Sequence, residues 1–551
     1  MNILGINQIP LMFFWQHDSA AALVKDGKLI TTIEEERFNR IRHFKGYPKL
    51  AISSCLKEGG IKMEDIDIVA ISYNPYAFIK RGSFNLHPKI LFQNFANIIL
   101  FKLTKMRLKR ETNGAKIIYI DHHLAHAAST YRCSGFENAN ILTVDGSGET
   151  ESFAFFTGKN GKIKRMWDIS LGGMFSKKKW QSIGLIYTRV TGFLNLGVNG
   201  EGKTMGLASY GKPIYDFSSI LSITNHKKYK IDRRNISKKY SELERKDPTA
   251  PLSDNHNNLA ASLQNALEQS MVNLAKEAYE KSGIRNFALA GGVALNCNTN
   301  SKILEQDFCE EIFIQPASSD GGAALGAALE ASAINGELPD FTMEHAYWGP
   351  SFTNDEIEKA LQDAKANYTF HENIEEETAK LICQGNIVGW FQGAMEIGPR
   401  ALGNRSILAD PTRKGINDDI NKFVKHREIW RPFAPSVAEE DAIRYFEGVD
   451  KAKDSPFMLH TFFVKEEYKD TFPAIVHVDG SSRIQTVRKE QNDRYYNLLK
   501  EIEKINGHPI VLDTSFNDKG EPIVCTPKDA LKCFFSTGFD VLAVGNFIVK
   551  K

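Results

Sequence analysis

The sequence has few cysteines, and their spacing excludes two common uses of this residue. Seven cysteines are scattered over 551 residues, and no two of them form a C-x-x-C pair. An odd, dispersed set is typical neither of a disulfide framework nor of a zinc knuckle. We therefore expect reduced thiols and a cytoplasmic location.

An excess of either charge is also missing. The chain has 69 lysines and arginines against 67 aspartates and glutamates, which leaves a formal net charge of +2. A near-neutral chain has no bulk attraction to nucleic acid, so we expect no nucleic-acid partner. The length predicts two or more domains, because a chain of this size is too long for one hydrophobic core.

Long hydrophobic runs are absent as well. Residues 9–15 are apolar, but they are few, contain Pro10 and lack a basic leader, so no targeting segment is expected. Residues 90–103 are interrupted by polar residues and too short to cross a bilayer, which predicts no stable membrane insertion. The basic run 102–110 follows them. An amphipathic helix lying on a membrane, a partner or the protein's own active-site mouth stays open, but a helix packed on its own domain is favoured.

The clearest positive signal is the stretch 121–129, which carries His122 and His126. Residues four apart share one face of a helix, so these two imidazoles could hold one metal ion. The apolar run 116–120 predicts a strand, which places the pair where a strand ends and where α/β proteins usually keep their chemistry. The alternative is an ordinary helix start, with Asp121 as its cap and the histidines as polar surface.

An internal repeat defines the predicted fold of the N-terminal part. Strands are predicted in two sets with the same layout, at 2–7, 19–24 and 29–33 and at 141–144, 151–157 and 163–169. Each set has a short polar turn between its first two strands, at 16–19 and 145–148. Tight glycine turns expose main-chain N–H groups that can cradle phosphates. Two such hairpins facing across a cleft predict the duplicated α/β fold of the actin, sugar-kinase and heat-shock ATPases.

Other motifs of this part allow two interpretations each. The densely charged run 34–43 is favoured as a solvated helix face, with its arginines and histidine offered to a cleft as the alternative. Three glycines around Lys203 suit an anion or a plain flexible loop equally well. Paired Gly291 and Gly292 favour close approach of the main chain to a flat nucleoside. Asp320, at the start of a small-residue helix, is either its N-cap or the carboxylate ligand that the two histidines lack.

A second mixed α/β domain is predicted beyond a linker at 335–350. Its candidate strands, separated by helical patterns, are residues 387–391, 457–463, 474–478, 510–512 and 541–544. Basic residues cluster at its glycine- and proline-shaped turns, namely Arg400, Arg405, Lys425, Arg427 and Arg431. The turns 477–483 and 513–517 follow predicted strands and add further polar side chains. Guanidinium groups on tight turns suit a phosphate or carboxylate, so an anion pocket is favoured over scattered surface salt bridges.

Together these motifs resemble those of the O-carbamoyltransferases that modify nodulation factors, cephalosporins, aminoglycosides and other natural products. The resemblance covers nearly the whole chain and rests on the ordered motifs HDSAAALV (17–24), EEERFNR (34–40), DHHLAH (121–126), VDGSGE (144–149), EGKTMGLASYG (201–211), LAGGVALN (289–296), SDGGAALG (319–326), GPRALGNRSI (398–407), RPFAPSV (431–437), HVDGSSRIQTV (477–487) and TSFNDKGEPIV (514–524). In that family the N-terminal domain is similar to the universal tRNA threonylcarbamoyl-transferase, an actin-like fold with iron and a nucleotide. The C-terminal domain is similar to YrdC. The resemblance implies an actin-like domain at 1–345 and a YrdC-like α/β domain at 351–551.

The resemblance also implies the chemistry. The YrdC-like domain handles carbamoyl phosphate, carbamoyl-AMP forms with ATP, and the actin-like domain passes the carbamoyl group to a hydroxyl of a sugar or antibiotic-like acceptor. Iron(II) or another divalent metal, and Mg²⁺ accompanying ATP, are the implied cofactors. A kinase or ATPase of the actin-like superfamily and a tRNA-modification component are the rival interpretations. A homo-oligomer is left open.

The residue roles implied by the resemblance follow the motifs. The implied metal ligands are His122, His126, Asp145 and Asp320. The implied nucleotide site consists of Asp145, Gly146, Ser147, Gly148, Lys203, Gly291, Gly292 and Asn296, and the implied carbamoyl phosphate site of Arg400, Lys425, Arg431, Arg483 and Asn517. His17 and Asp18 stand where the acceptor hydroxyl is expected, and His122 is counted with them as catalytic. The segment 8–15 is longer and more apolar than the short turn usual in the family, so the acceptor pocket is the least transferable part.

Overall fold

The computed structural model describes residues 1–8, 17–77, 88–171, 180–339 and 341–551, with residues 88–97 described by their main chain only. Apart from Gln8, the segment 8–15 therefore lies outside the described residues. The chain forms two compact units. Unit 1 comprises Met1–Glu35 and His43–Met343, and unit 2 comprises Glu36–Arg42 and Glu344–Lys551.

Unit 1 contains two five-stranded sheets and a short hairpin. Its described strands are β1 (Asn2–Asn7), β2 (Ala20–Lys25), β3 (Lys28–Glu34), β4 (Ile68–Ile71), β5 (Lys116–Tyr119), β6 (Asn138–Val144), β7 (Glu151–Lys159), β8 (Lys162–Ser170), β9 (Leu221–Ile223), β10 (Tyr229–Ile231), β11 (Asn286–Ala290) and β12 (Glu311–Ile314). The sheets have the orders β3-β2-β1-β4-β5 and β8-β7-β6-β11-β12. In each, three antiparallel strands are followed by two strands parallel to the central one. This repeated topology confirms the predicted duplicated actin-like fold.

Helices accompany the sheets of both units. Numbered along the chain, the described helices are α1 (Glu36–Asn39), α2 (Lys49–Glu58), α3 (Pro88–Glu111), α4 (His122–Tyr131), α5 (Ile183–Phe193), α6 (Glu201–Ala208), α7 (Arg234–Lys239), α8 (Asp254–Ser282), α9 (Cys297–Leu304), α10 (Ala323–Ile334), α11 (Asn354–Asp363), α12 (Ile374–Cys383), α13 (Ile416–Asp419), α14 (Glu439–Tyr445), α15 (Val449–Ala452), α16 (Glu466–Lys469), α17 (Asp493–Asn506) and α18 (Pro527–Ser536). Helix α1 belongs to unit 2, together with α11 to α18.

The small-residue helix α10 fixes the position of α4, which carries the paired histidines. A Cβ added at Gly326 of α10 would lie 1.8 Å from the main-chain oxygen of Ala125 on α4. A Cβ added at Gly5 of β1 would lie 2.1 Å from the main-chain oxygen of Ala324 on α10. Only glycine permits such close approach of two backbones. The run of alanines and glycines in α10 therefore serves the packing of α4 and the first sheet.

Helix α3 packs on unit 1, as the favoured interpretation of residues 90–110 predicted. The Phe101 ring stacks on the ring of Tyr73, with centroids 5.9 Å apart, and meets the Tyr119 ring edge to face at 5.8 Å. Leu108 is fully buried on the same side of the helix. None of the described helices combines the length and hydropathy needed to span a bilayer.

The glycine-rich segment 200–211 is mostly helical, so the flexible-loop interpretation is wrong, whereas anion binding at Lys203 stays a prediction. Helix α6 spans Glu201–Ala208, and good helix formers at most of its positions offset its two interior glycines. The Thr204 hydroxyl is buried and lies 2.7 Å from the Thr191 hydroxyl of α5. This contact ties α6 to its neighbour. The residues that follow include β9, β10 and α7.

The charged run 34–43 is not the solvated helix face that was favoured. Glu36 and Arg37 are buried, and the Arg37 guanidinium donates to the main-chain oxygen of Gly398 at 2.6 Å. The Arg40 guanidinium donates to the main-chain oxygens of Pro522 and Ile523, both at 2.6 Å. These side chains bind main-chain acceptors of unit 2, which is why α1 belongs to that unit.

Unit 2 is a mixed α/β domain, as predicted. Its described strands are β13 (Tyr368–Phe370), β14 (Val388–Phe391), β15 (Arg405–Ala409), β16 (Ala434–Ala438), β17 (Phe446–Glu447), β18 (Phe462–Val464), β19 (Ser481–Ser482), β20 (Gln485–Val487), β21 (Ile510–Ser515), β22 (Val541–Val544) and β23 (Phe547–Lys550). Eight of them form a sheet of order β13-β23-β22-β14-β15-β21-β16-β20. A smaller sheet contains β17, β18 and β19.

Two of the strands predicted for unit 2 differ in the structure. The run 457–463 is mostly irregular, and only its end enters β18. The run 474–478 forms turns, because the N–H of Ala474 donates to Pro411 and that of Ile475 to Phe472. Both side chains fill the hydrophobic core of the unit. Burial without strand pairing explains why an apolar run resembled a strand.

Candidate functional site

Helix α4 begins just after β5, so His122 and His126 stand near the end of a strand and on one face of a helix. The main-chain N–H of His122 donates to the two carboxylate oxygens of Glu149, at 2.9 and 3.1 Å. Asp121 makes no capping hydrogen bond with its side chain, which accepts instead from the Asn74 amide at 2.8 Å. Glu149 therefore caps α4, and the alternative of a surface helix start capped by Asp121 is wrong.

Two carboxylates from other elements meet the two imidazoles. Asp145 follows β6, and Asp320 begins a short 3₁₀ turn before α10. The Nε2 atoms of His122 and His126 are 3.1 Å apart. Asp145 Oδ2 lies 3.4 and 3.2 Å from these two nitrogens, and Asp320 Oδ1 lies 3.4 and 3.7 Å from them. All four side chains are buried, so the structure gathers the complete predicted ligand set, here called the four-donor cluster.

The four-donor cluster requires positive charge at its centre. Burial opposes protonation of His122, but the carboxylates of Asp320 and Asp145 outweigh it and hold the pKa of His122 well above its usual value. Burial also opposes ionisation of Asp320, yet the two histidines hold its pKa well below the usual range. A divalent cation satisfies two imidazole nitrogens and two carboxylate oxygens together, and iron(II), manganese(II) and zinc(II) all accept such donors. The residues present fit a divalent metal.

A second cluster of unit 1 contains His17 and Asp18 together with His43. His43 Nδ1 lies 2.6 Å from Asp18 Oδ1, and His17 Nδ1 lies 2.9 Å from Asp18 Oδ2. Burial lowers the pKa of His17, but Asp18 outweighs this and raises it to about 10. The carboxylates of Asp320 and Asp145 add to that rise, so His17 stands within electrostatic reach of the four-donor cluster.

The glycine pair of the predicted nucleotide site packs against the end of β6. Gly291 has a φ of 91°, and a Cβ there would lie 2.3 Å from the main-chain oxygen of Val144. At Gly292 the nearest atom to an added Cβ would be Asp145 Oδ1, at 3.2 Å. Close packing of two chain segments thus explains the first glycine without a ligand. The second glycine leaves room beside a carboxylate of the four-donor cluster.

The turn of residues Asp145, Gly146, Ser147 and Gly148 joins β6 to β7. The N–H of Gly146 donates to Asp145 Oδ1 at 2.6 Å, and the N–H of Gly148 donates to the main-chain oxygen of Glu151 at 2.7 Å. Both N–H groups therefore have partners within the turn. The turn positions Asp145.

Two further residues of the predicted nucleotide site lie on helices. Lys203 is half-buried on α6. Asn296 caps α9, where its side-chain oxygen accepts from the N–H of Thr299 at 3.1 Å. Its amide also exchanges two hydrogen bonds with Gln264, at 2.9 and 3.0 Å. A structural role thus accounts for the contacts of Asn296.

In unit 2, the structure brings Lys425 and Asn517 of the predicted anion site together. Lys425 is buried just after the π-helical turn Ile420–Val424, and its ammonium donates to Asn517 Oδ1 at 2.6 Å and to the main-chain oxygen of Ser515. Burial, with the positive charge of Arg427, holds the pKa of Lys425 well below its usual value. Lys425 thus orders the turn that ends β21.

The guanidinium groups of Arg427 and Arg431 lie within electrostatic reach of Lys425. Arg427 donates to the Asn421 side chain at 2.5 Å, whereas its buried Nη2 has no hydrogen-bond partner among the described residues. Burial lowers the pKa of Arg427, and the charges of Arg431 and Arg483 lower it further. Burial also lowers the pKa of Arg431, and the charge of Arg42, in the segment Glu36–Arg42 of unit 2, lowers it further. Like charges that destabilise one another suit an anion as their common partner.

Arg400 and Arg405 have different surroundings. Arg405 is buried, donates to the main-chain oxygens of Gln392 at 2.5 Å and Gly393 at 3.2 Å, and lies 3.7 Å from the centre of the Phe391 ring. It is a core residue of unit 2. Arg400 is half-buried, and its place in the anion site stays a prediction.

Several residues of these sites were not among the predicted ones. Glu149 stands in the motif VDGSGE, and its distance from His122 in sequence hid its capping role. Arg42 and His43 lie in the charged run 34–43, for which a solvated face was favoured and a cleft position was only the alternative. Arg427 was noticed in the basic cluster, but only its unsatisfied buried nitrogen marks it as a candidate ligand.

The fold and the clusters define an actin-like unit with a candidate metal site and an α/β unit with a cluster of basic side chains. Models of known protein families match most of each unit. The description "Carbamoyltransferase N-terminus" matches residues 3–329, and "Carbamoyltransferase C-terminus" matches residues 379–551. The chain therefore belongs to the carbamoyltransferase family and is a transferase.

Two relatives in sequence agree with this assignment. The chain is 38% identical to nodulation protein NolNO of Sinorhizobium fredii over 99% of this chain and 80% of that protein. It is 33% identical to the 3'-hydroxymethylcephem-O-carbamoyltransferase of Amycolatopsis lactamdurans over 47% of each chain. Among solved structures, component A of the (R)-2-hydroxyglutaryl-CoA dehydratase of Acidaminococcus fermentans aligns with 60% of this chain and 97% of its own, at 14% identity and a TM-score of 0.33.

Proposed function

We propose that the protein is an ATP-dependent O-carbamoyltransferase. Water first hydrolyses carbamoyl phosphate to carbamate and inorganic phosphate, and a carbamate oxygen then attacks the α-phosphate of ATP to form carbamoyl-AMP with release of pyrophosphate. The hydroxyl of a sugar or natural-product acceptor then takes the carbamoyl group and AMP leaves. We assign the release of phosphate to the carbamoyl phosphate site, the formation of carbamoyl-AMP to the nucleotide site, and the transfer step to unit 1.

The single observation that carries this proposal is the four-donor cluster. Two imidazole nitrogens and two carboxylate oxygens converge within 4.8 Å in a buried setting. A bound divalent metal held by His122, His126, Asp145 and Asp320 would supply Lewis acidity toward the acceptor and carbonyl oxygens. The name of the Amycolatopsis relative, an O-carbamoyltransferase acting on a hydroxymethyl group, supports a hydroxyl acceptor here.

The second cluster of unit 1 is assigned to the acceptor. An alcohol is a poor nucleophile until its proton has a base to receive it. We assign that base to His17, held by Asp18. The carboxylates that raise the pKa of His17 include Asp320 and Asp145, so a divalent cation bound between those two carboxylates would lower that pKa and favour the neutral imidazole. Asp18 is itself held by His43 at 2.6 Å, which limits its freedom to turn away.

The guanidinium groups of unit 2 are assigned to carbamoyl phosphate. The proposed site consists of Arg431, Arg483, Arg400, Lys425 and Asn517. Arg427 joins them because its buried Nη2 has no hydrogen-bond partner among the described residues. Charge-assisted hydrogen bonds from guanidinium groups are strong and match the geometry of a phosphate. Burial lowers the pKa of Arg431, and repulsion from Arg42 and Arg483 lowers it further; a bound dianion would relieve that repulsion.

The decisive experiment measures pyrophosphate release. The purified protein with ATP and divalent metal should release pyrophosphate only when carbamoyl phosphate is present. A panel of hydroxylated acceptors, followed by mass spectrometry, should then show one of them gaining a single carbamoyl group. ATP turnover with an acceptor but without carbamoyl phosphate would contradict the proposal and favour the kinase interpretation.

A further inference from the structure

Helix α3 presents a buried face and an exposed apolar face on opposite sides. Successive residues of an α-helix are about 100° apart, so positions three, four and seven apart share a face. Phe101, Thr104 and Leu108 form the buried face. Their contacts with unit 1 fix the rotation of the helix about its axis, so the opposite face is held outward.

Three large apolar side chains occupy that outward face. Ile99, Leu103 and Met106 are 50%, 52% and 51% exposed, respectively, and their spacing of four and three residues aligns them in one row. Single exposed apolar residues are common on protein surfaces and need no explanation. A row of three apolar residues directly opposite the buried face indicates a helix that packs on its own domain with one face and binds a second surface with the other.

Basic residues flank the apolar row. Lys102, Lys105 and Lys109 are exposed along one side of it, and no acidic side chain among the described residues pairs with them. On the other side Arg107 is exposed, donates to Glu111 at 2.7 Å and lies 5.0 Å from the centre of the Tyr47 ring. Long basic side chains beside an apolar row can keep their charges in water while the row is buried.

We propose that this outward face of α3, from Ile99 to Arg110, docks on an anionic lipid surface with the helix axis lying in the plane of the interface. An apolar row between basic flanks is the pattern of helices that insert a few ångströms into the boundary between headgroups and acyl chains. The lysines would meet lipid phosphates, and the three apolar side chains would leave water. The docking is peripheral and reversible.

Charge argues against the other occupants of this face. A second copy of the chain packed symmetrically on it would bring Lys102, Lys105 and Lys109 toward the same lysines of its partner. A nucleic acid would satisfy the lysines but would place phosphates against Leu103 and its neighbours. An anionic lipid surface with an apolar interior matches both the basic flanks and the apolar row.

The test is flotation of the full-length protein with lipid vesicles. We expect binding to vesicles of phosphatidylcholine mixed with phosphatidylglycerol, and little binding to phosphatidylcholine alone. Each lysine near an anionic surface contributes about fivefold in affinity, so Lys102→Gln with Lys105→Gln should weaken binding about 25-fold. Leu103→Gln should weaken it about fivefold or more, because a half-exposed leucine loses its burial in the interface.

Matched controls separate docking from general charge and hydropathy. Val198 is 95% exposed outside α3, so Val198→Gln tests loss of an exposed apolar residue. Lys227→Gln with Lys228→Gln, in the turn between β9 and β10, tests loss of two exposed lysines. Both should bind like the unchanged protein. Equal binding by the α3 variants, binding to neither vesicle, or a dimer that Leu103→Gln dissociates would each overturn the proposal.

Discussion

The carboxylate of Glu149 accepts the main-chain N–H of His122 at 2.9 Å, and it also accepts the main-chain N–H of Asn74 at 2.9 Å. One half-buried side chain thus joins three segments: the turn after β6, the start of α4 and the chain beyond β4. Burial raises the pKa of Glu149 to about 7. The position of the histidines therefore depends on a residue that contributes no donor atom to the four-donor cluster.

Removing this cap should weaken metal binding without removing a ligand. We expect Glu149→Ala to lower metal affinity about tenfold, since α4 loses its N-terminal cap and the His122 ring loses its fixed position. Glu149→Gln keeps an oxygen that can accept the same N–H, so it should stay close to the unchanged protein. Competition with a chromogenic chelator measures the metal affinity of both variants. Equal affinity for all three proteins would contradict a positioning role.

Replacing a metal ligand should remove the metal, whereas replacing the neighbouring residue His123 should not. His126→Ala and Asp320→Asn should each leave the purified protein with little metal, because the four-donor cluster loses one of its donors. His123 is the matched control, since its ring is buried but its Nδ1 lies 2.7 Å from the Thr143 hydroxyl, outside the cluster. His123→Asn should keep its metal. Elemental analysis of the purified variants decides, and a full metal content in His126→Ala would refute the ligand set.

Gly292 gives a milder way to disturb the same cluster. A methyl group there would lie 3.2 Å from Asp145 Oδ1, so the carboxylate must shift by a few tenths of an ångström. We expect Gly292→Ala to fold normally and to bind metal several-fold more weakly. Gly192→Ala, on α5 with no atom within 4 Å of the added methyl, is the control. Calorimetric titration with metal and with ATP shows which ligand is affected, and no change in either would contradict the packing argument.

The repeated sheets could be predicted because each strand of the repeat is an apolar run bounded by glycine or polar turns. The four-donor cluster could be predicted from the family motifs, although only the spacing of His122 and His126 carried a signal of its own. Asp145 and Asp320 are 175 residues apart in the chain, and no local pattern connects them. Their meeting depends on α10, whose glycine at 326 allows two backbones to touch.

The predictions that the structure contradicts have a common physical cause. Arg37 and Arg40 were predicted on a solvated face because charged runs usually are, but main-chain oxygens of unit 2 satisfy their guanidinium groups. Ala474 and Ile475 were predicted in a strand because they are apolar, whereas they fill a core without pairing. In both cases tertiary contacts replaced the local preference. Such contacts are not visible in the order of residues.

Asp513 should make the stability of the protein depend on pH. It is buried in β21, accepts from the Ser436 hydroxyl at 3.1 Å and the Tyr495 hydroxyl at 3.0 Å, and burial raises its pKa to about 7. Between about pH 4 and about pH 7 the folded protein therefore binds a proton that the unfolded chain has released, so the free energy of unfolding falls as pH rises through this window.

Replacing the carboxyl with a neutral amide should remove that dependence. Asp513→Asn keeps an oxygen for both hydroxyl donors but cannot ionise. We expect its free energy of unfolding to exceed that of the unchanged protein by a growing margin from about pH 4 upward, reaching a few kcal/mol by about pH 8. Denaturant titrations at four pH values measure the margin. A margin that stays constant with pH would contradict the raised pKa.

The anion site and the four-donor cluster should fail at different steps. Arg431 and Arg427 are proposed to meet the dianion of carbamoyl phosphate, and losing one charge-assisted bond costs roughly 1.5–3 kcal/mol, about tenfold or more in affinity. Arg431→Ala and Arg427→Gln should therefore raise the KM for carbamoyl phosphate or abolish pyrophosphate release, with no product. Lys422→Gln, an exposed change in the turn that precedes Lys425, should leave both unaffected.

The opposite pattern is expected for His126→Ala, measured beside these variants. Its anion site is intact, so carbamoyl-phosphate-dependent pyrophosphate release should persist in part, while transfer to the acceptor is lost with the metal. The two assays on one set of proteins thus assign each cluster to a half-reaction. Full pyrophosphate release by Arg431→Ala would show that the phosphate binds elsewhere, and equal loss of both activities in every variant would show that the two steps share one site.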